Sequence, residues 1–522
     1  MKLILVTQII LFLFIGNLFA QDDIRLKDPA QKEFQFIGYS FSRGTSSNVT
    51  PTNDILQGQV IGRLFGPNST NTVPQTSVYF EQRFVPFFIY KPSILDGLAT
   101  FRGLFKIDYT WGDQAYGVGN NRGGAINGGQ VNLQTLLANV EIKPEDSDWN
   151  IVVGMQRLFD NVRDPNVNTL QTAQTSAYKL SFWGTQAVGI SSFADLSSVT
   201  KGRFSYFQLW ENEISKNDDV ALWMLDVYSR ISPLFEVGGS LWYVWDKGKN
   251  AGGISVLGQG LASALADYNG ATRLKFAGTN QKYEANISWI GGHAAYNRDF
   301  LAGRIWADAF LIANVGIIDT VGVETSKAAN LFGVAANASI NYKYGMTASD
   351  KITFEALYTS GDENGVSDGT VNSVITGNVY GSPVGIYSAH RALLLFPDAQ
   401  VVNRYYSVVH DISNMGYGVT AAFLNLYKDI IPNKFSIIPN KFSGKIGFAS
   451  ALSNVKLAGG GSYMGTEVNA EFKYNLKVFL TLGVSAGYVA LGDFFDAPSS
   501  TYSNTRPKDP WVFFTTLSWL MF

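Results

Sequence analysis

The chain contains no cysteine, which excludes disulfide bridges, thiolate metal sites and a lipid anchor on a cysteine. Histidine is nearly as scarce, with only His293, His390 and His410, and no metal-spaced cluster or phosphate-binding loop occurs. Charged residues make up 16% of the chain, against about 25% in ordinary globular domains. The net charge of -2 lacks the basic excess of a nucleic-acid binder. Beyond the N-terminus, no uncharged apolar run is long enough for a spanning helix. The longest charge-free stretch, 250–266, is rich in Gly, Ser and Ala and reads as loop.

Aromatic residues and glycine are plentiful instead: Phe 36, Tyr 25, Trp 11 and Gly 52. A mean hydropathy of +0.03 is too polar for a helical membrane protein. It fits a β-barrel whose lipid-facing and water-facing residues alternate and average out.

The alternation is plainest in "EVNAEFKYNLKVFLTLGVSAGY", 467–488. Val468, Ala470, Phe472, Tyr474, Leu476, Leu482, Val484 and Tyr488 share one parity; Glu467, Asn469, Glu471, Lys473 and Lys477 share the other. Period two means strands with different solvents on their two faces. The length suits two transmembrane strands of roughly 9 to 11 residues each, joined by a tight turn near Asn475. The pattern recurs in 101–111, 273–276, 282–289, 332–344 and 351–358. On lipid-facing parity it places Tyr109, Trp111, Tyr283, Trp289, Tyr342, Tyr344, Tyr358 and Tyr488, as aromatic girdles require.

Connections alternate between short and long. Short ones fall at 144–148, 278–281, 345–350 and near 475; long ones fall at 112–131, 160–176, 246–269, 291–302, 361–403 and 492–509. Outer-membrane barrels have short periplasmic turns and longer external loops. The expected fold is therefore all-β, a transmembrane antiparallel barrel of about 18 strands, within a range of 16 to 20. The barrel is expected over 34–522, after a signal peptide at 1–20 and a short periplasmic segment at 21–33. The tandem "IIPNKFSIIPNKFS", 430–443, must lie in a connection, because seven extra residues inside a strand would reverse every later side chain.

The chain stops at "PWVFFTTLSWLMF". Its last residue, Phe522, resembles the terminal aromatic that barrel-insertion machinery reads, although both faces of that strand carry large apolar residues. A second likeness lies in "LQTLLANVEIK", "PEDSD" and "WNIVVGMQRLFDNVRDP", 133–165. It resembles the alginate-export-like family of outer-membrane channels, in which a strand, a short turn and a strand ending in Gly-Arg-Gln precede an acidic loop. Gly154 and Gln156 match, Met155 stands where the Arg is expected, and Arg157 replaces it in part. "YTSGDENGVSDG", 358–369, resembles the Ser-Gly-Asp loop entrance of such channels. The resemblance implies a monomeric rather than trimeric 18-stranded pore in the outer membrane of a Gram-negative-type bacterium. Without the Arg it does not carry alginate specificity.

Inward parity nominates pore-lining charges of both signs: Arg102, Lys106, Asp108, Glu141, Arg273, Lys275, Glu284, Asp308, Lys343, Glu355, Glu471, Lys473 and Lys477. A mixed lining implies paired charges and modest ion selectivity; cross-strand pairing for structure alone is the plainer reading. Asp362, Asn364 and Asp368 are a weak calcium candidate, since their spacing departs from the EF-hand pattern. His410 beside Asp411 lacks a Ser or Asp constellation for hydrolysis, so no enzyme activity is expected.

The expected function is passive passage of small hydrophilic solutes or oligosaccharides, with the 361–403 loop as constriction. A surface adhesin on the same scaffold is the alternative, and an outer-membrane hydrolase a weaker one. Outer-membrane lipid, lipopolysaccharide and the insertion machinery are the expected partners, and no cofactor or nucleic acid is expected.

Overall fold

The computed structural model describes residues 33–51, 60–64, 70–111, 132–159, 184–249, 282–322, 326–376, 392–396, 402, 404–409, 412–430, 441–477, 479–498 and 505–522. The expected signal segment, Arg273 and Lys275 lie outside the described residues. In chain order the strands are β1 (Phe34–Pro51), β2 (Val60–Arg63), β3 (Thr70–Tyr90), β4 (Ala99–Trp111), β5 (Asn132–Ile142), β6 (Trp149–Phe159) and β7 (Gly184–Asp195). They continue as β8 (Thr200–Trp210), β9 (Val220–Ser232), β10 (Phe235–Asp246), β11 (Lys282–Tyr296), β12 (Ile305–Val321), β13 (Ser326–Lys343) and β14 (Lys351–Thr359). The last are β15 (Thr370–Val371), β16 (Arg404–Ser407), β17 (Val419–Ile430), β18 (Phe442–Ser453), β19 (Tyr463–Lys477), β20 (Leu480–Leu491) and β21 (Trp511–Met521).

Among the described residues, all these strands except β2, β15 and β16 form the wall, 18 in number, each antiparallel to its neighbours. The ring closes through β1, where Phe41 pairs with Arg83 on β3 and with Ser518 on β21. Closure removes the free edges that an open sheet would present, so every wall strand has a ladder partner on both sides. No helix among the described residues is long and apolar enough to cross a membrane.

Side-chain parity sorts the two faces. On β19, Val468 and Phe472 are 46% and 45% exposed on the outer face, whereas Glu467 and Asn469 on the inner face are 0% and 2% exposed. Phe332, Ile340, Tyr342, Phe354, Tyr358 and Tyr488 lie outside with them, as the alternation requires. Residue 475 is not the turn. Asn475 pairs with Thr481, and the connection between β19 and β20 falls at 478–479 after a bulge at Leu476.

Two sequence expectations fail on β11. Residues 291–296 are strand, not loop, and the turn to β12 is confined to 297–304. The faces of this strand are also reversed. Trp289 is 0% exposed and Ile290 is 55% exposed, so Tyr283, Ala285, Ile287 and Trp289 point inward. Their apolar face meets an apolar filling inside the barrel, described below, rather than lipid. An outer aromatic ladder forms instead from Tyr206, Trp223 and Tyr243 on β8, β9 and β10, with ring centroids 5.4 and 5.7 Å apart.

Candidate functional site

The interior divides into polar pairs on the wall and a folded-in segment. On β3 and β4, Arg83 grips Asp108 with two hydrogen bonds of 2.8 and 2.9 Å, and Lys106 lies 3.5 Å from the same carboxylate. Arg102 forms an ion pair with Glu141 on β5, whose second oxygen accepts the Asn150 amide at 2.6 Å. On β18 and β19 Lys445 pairs with Glu471, and Lys473 approaches to 4.0 Å. Asp308 accepts the Ser339 hydroxyl at 2.7 Å, and Glu355 accepts the Asn337 amide at 2.9 Å. Buried charges persist when paired and hydrogen-bonded, and these pairs leave a lining of mixed sign. Lys343 and Lys477 are the last residues of β13 and β19.

Glu284 is a correction. With β11 reversed, it shares the outer parity of Ile290 and pairs there with Lys247 and, at 3.5 Å, with Lys249. It does not line the interior.

Interior pairs that sequence reasoning missed are as well built. Arg43 and Glu81 meet at 2.7 Å and are almost fully buried, with the guanidinium 4.6 Å over the Phe514 ring. Arg230 and Arg298 flank Glu236, each at 3.1 Å.

The other candidate residues are dispersed. Gln156 is buried and donates to the carbonyls of Val152 and Gly189 at 3.1 and 3.2 Å, so it is built into the wall beside Gly154. The Arg157 side chain lies outside the described residues. Phe522 packs edge-on against Phe479, centroids 4.9 Å apart. Asp362 accepts the N–H groups of Asn364 and Asn372, while Asp368 accepts the N–H and hydroxyl of Thr370 at 2.9 and 2.8 Å. Those contacts, Thr370 first and then the Asn364 amide, hold the Asp368 carboxyl below its usual range. The described residues hold no group of three potential metal ligands. His293 lies on β11, where its ring stacks on Tyr228 with centroids 6.5 Å apart; His390, His410 and Asp411 lie outside the described residues.

The folded-in segment comes from the connection between β14 and β17. Its Leu393, Leu394, Leu395 and Phe396 are buried with Val408, Val409 and Ile412 against Trp289, Phe423, Met464 and Val489 of the wall. Val408 and Val409 donate to the carbonyls of Leu394 and Leu395, each at 2.8 Å. The Trp289 indole donates to the Ile375 carbonyl at 2.8 Å, the Ile375 N–H donates to Asn314 at 2.9 Å, and Arg83 donates to the Val402 carbonyl at 2.8 Å. A second connection joins it: β2, between β1 and β3, pairs in parallel with β16. The connection reaches beyond the expected 361–403 loop, since Val408, Val409 and Ile412 belong to its buried part, and the β2–β16 pairing links residues more than 340 positions apart, which no local pattern records.

No protein-family model matches the chain, and no curated protein matches it. It is similar at low identity to several solved structures. OccAB4 of Acinetobacter baumannii has a TM-score of 0.47 at 10% identity, covering 95% of this chain and 100% of that one. Pseudomonas aeruginosa OccK9 (OpdG) has 0.48 at 10%, covering 94% and 98%. Pseudomonas aeruginosa OccK1 (OpdK) has 0.47 at 9%, covering 93% and 98%.

Proposed function

We propose that the chain is an outer-membrane channel through which small hydrophilic solutes pass by diffusion. One observation carries the reading: a closed ring of strands presents large apolar side chains outward and ion pairs inward. Such a surface is stable only with hydrocarbon outside and a polar interior. The reading sets the protein in the outer membrane of a diderm bacterium, with lipid and lipopolysaccharide around the barrel.

Arg83–Asp108, Arg102–Glu141 and Lys445–Glu471 compensate one another locally. A ring of one sign would select counter-ions; this lining supports modest ion selectivity. The segment folded in from the β14–β17 connection narrows the lumen. The finer reading, an alginate-export-like channel for oligosaccharides, rests on Gly154 and Gln156.

Liposome swelling tests both levels. Reconstituted protein is expected to admit neutral sugars at rates falling with size, and short oligosaccharides as well as monosaccharides if the finer reading holds. Folded, inserted protein that admits no solute contradicts the channel. Electrical and osmotic silence would instead favour a surface adhesin on the same scaffold.

A further inference from the structure

One wall carboxylate holds the folded-in segment. Glu467 on β19 accepts the backbone N–H of Leu393 at 2.7 Å on one oxygen and those of Leu394 and Leu395 at 2.9 and 2.5 Å on the other. The Asn469 amide donates to the first oxygen at 2.7 Å. All four contacts are N–H donors, the pattern that a carboxylate rather than a carboxyl accepts, and hydrogen bonds to an ionised acceptor are roughly twice as strong as neutral ones. Beside this carboxylate the segment also makes apolar contacts with the wall. The Phe396 ring packs on Phe423 with centroids 5.4 Å apart, and Leu393 lies over Gly487, which offers no side chain to interlock.

Leu393 to Phe396 are no more than 4% exposed, so no aqueous space borders them. A hydrated solute crossing beside β19 and β20 therefore needs the segment to move off the wall. We propose that the segment is a gate and that Glu467 is its latch, a positioning residue that biases the channel toward the docked state. The inference rests on the channel reading above. Weakening an attachment made only in the docked state shifts the population toward the undocked one.

The absence of native cysteine makes a direct test available. A Cβ at residue 487 would lie 3.3 Å from that of Leu393, close to the roughly 3.5–4.5 Å separation of a disulfide. In planar bilayers, the oxidised Leu393→Cys/Gly487→Cys protein is expected to conduct at least about tenfold less than the same protein after reduction, with the wild type indifferent to reductant. Glu467→Gln is expected to raise the fraction of time open by about fivefold or more, with the barrel still folded as judged by heat-modifiable migration on gels.

Equal conductance before and after reduction, with the bond verified by mass, overturns the gate. So does failure of the folded double variant to form the bond under oxidant. If Glu467→Gln does not fold, the cysteine pair decides alone; if it folds and gates as the wild type, Glu467 is not the latch. Silence of the wild type and the reduced variant alike overturns the channel reading itself, a result distinct from either.

Discussion

Arg203 and Asp226 face each other across β8 and β9 inside the barrel, the guanidinium donating to one carboxylate oxygen at 2.6 and 3.0 Å. The other oxygen accepts the Ser240 hydroxyl at 2.6 Å and the Trp242 indole N–H at 3.0 Å. One buried carboxylate thus organises three strands. Removing it leaves a buried guanidinium uncompensated, so Asp226→Ala is expected to lose about 3–5 kcal/mol in urea unfolding from lipid vesicles. Replacing both residues, Arg203→Met with Asp226→Leu, is expected to recover most of the loss. A single variant no less stable than the double one would remove the pair from this role.

Gly154 has a φ of +118°, and a Cβ there would lie 2.5 Å from the Ala138 carbonyl oxygen. Both the backbone conformation and the close approach of β5 exclude a side chain. Gly154→Ala is expected to cost about 2 kcal/mol or more, read from the same unfolding curves. An unaffected midpoint would show that this position is not strained.

Asp350 staples the turn between β13 and β14 to β17. Its carboxylate accepts the N–H groups of Met346 and Asp429, each at 2.9 Å, and pairs with Lys428 at 3.1 Å. Burial pushes its pKa up, but these contacts and the Thr347 N–H outweigh it and hold the group below the ordinary value of 3.8. A depressed carboxylate pKa contributes stability that is present above the unfolded value and lost as pH falls through the folded one. Asp350→Asn is expected to cost about 2 kcal/mol at neutral pH, and less as pH drops below about 4. A cost that stays constant down to pH 2 would point to shape rather than charge.

The tandem 430–443 is not wholly a connection: it begins at Ile430, the last residue of β17, and ends within β18 at Phe442 and Ser443, and Ile430 pairs with Phe442. Deleting 431–437 keeps that pair and leaves four residues between, a common hairpin length. The expected change in stability is within about 1 kcal/mol, with wild-type heat-modifiable migration on gels. Inserting seven residues after Phe423 would instead reverse the faces of the rest of β17 and is expected to abolish folding. Tolerance of that insertion would contradict the parity assignment.

Most of the wall could be read from the sequence, because Glu467 to Tyr488 and Phe332 to Tyr342 alternate between hydrocarbon and a polar interior. The reading failed where the interior is itself apolar. On β11 the Ile287–Trp289 face packs on Ile375 and its neighbours, so apolar parity pointed inward and Glu284 was assigned to the wrong side. Arg43, Glu81, Arg203 and Asp226 escaped notice because each pair is assembled only by strand register. Glu467 stood in the most conspicuous stretch of the chain, but its partners are backbone amides some 70 residues away, which no side-chain pattern records.

The most direct measurement is single-channel recording of the purified, refolded chain in a planar bilayer, with reversal potentials in a salt gradient. Discrete conductance steps with weak ion selectivity are expected from a lumen of mixed, paired charges. A folded barrel that inserts and passes no current at any voltage would contradict the proposal that this ring of strands is a conduit.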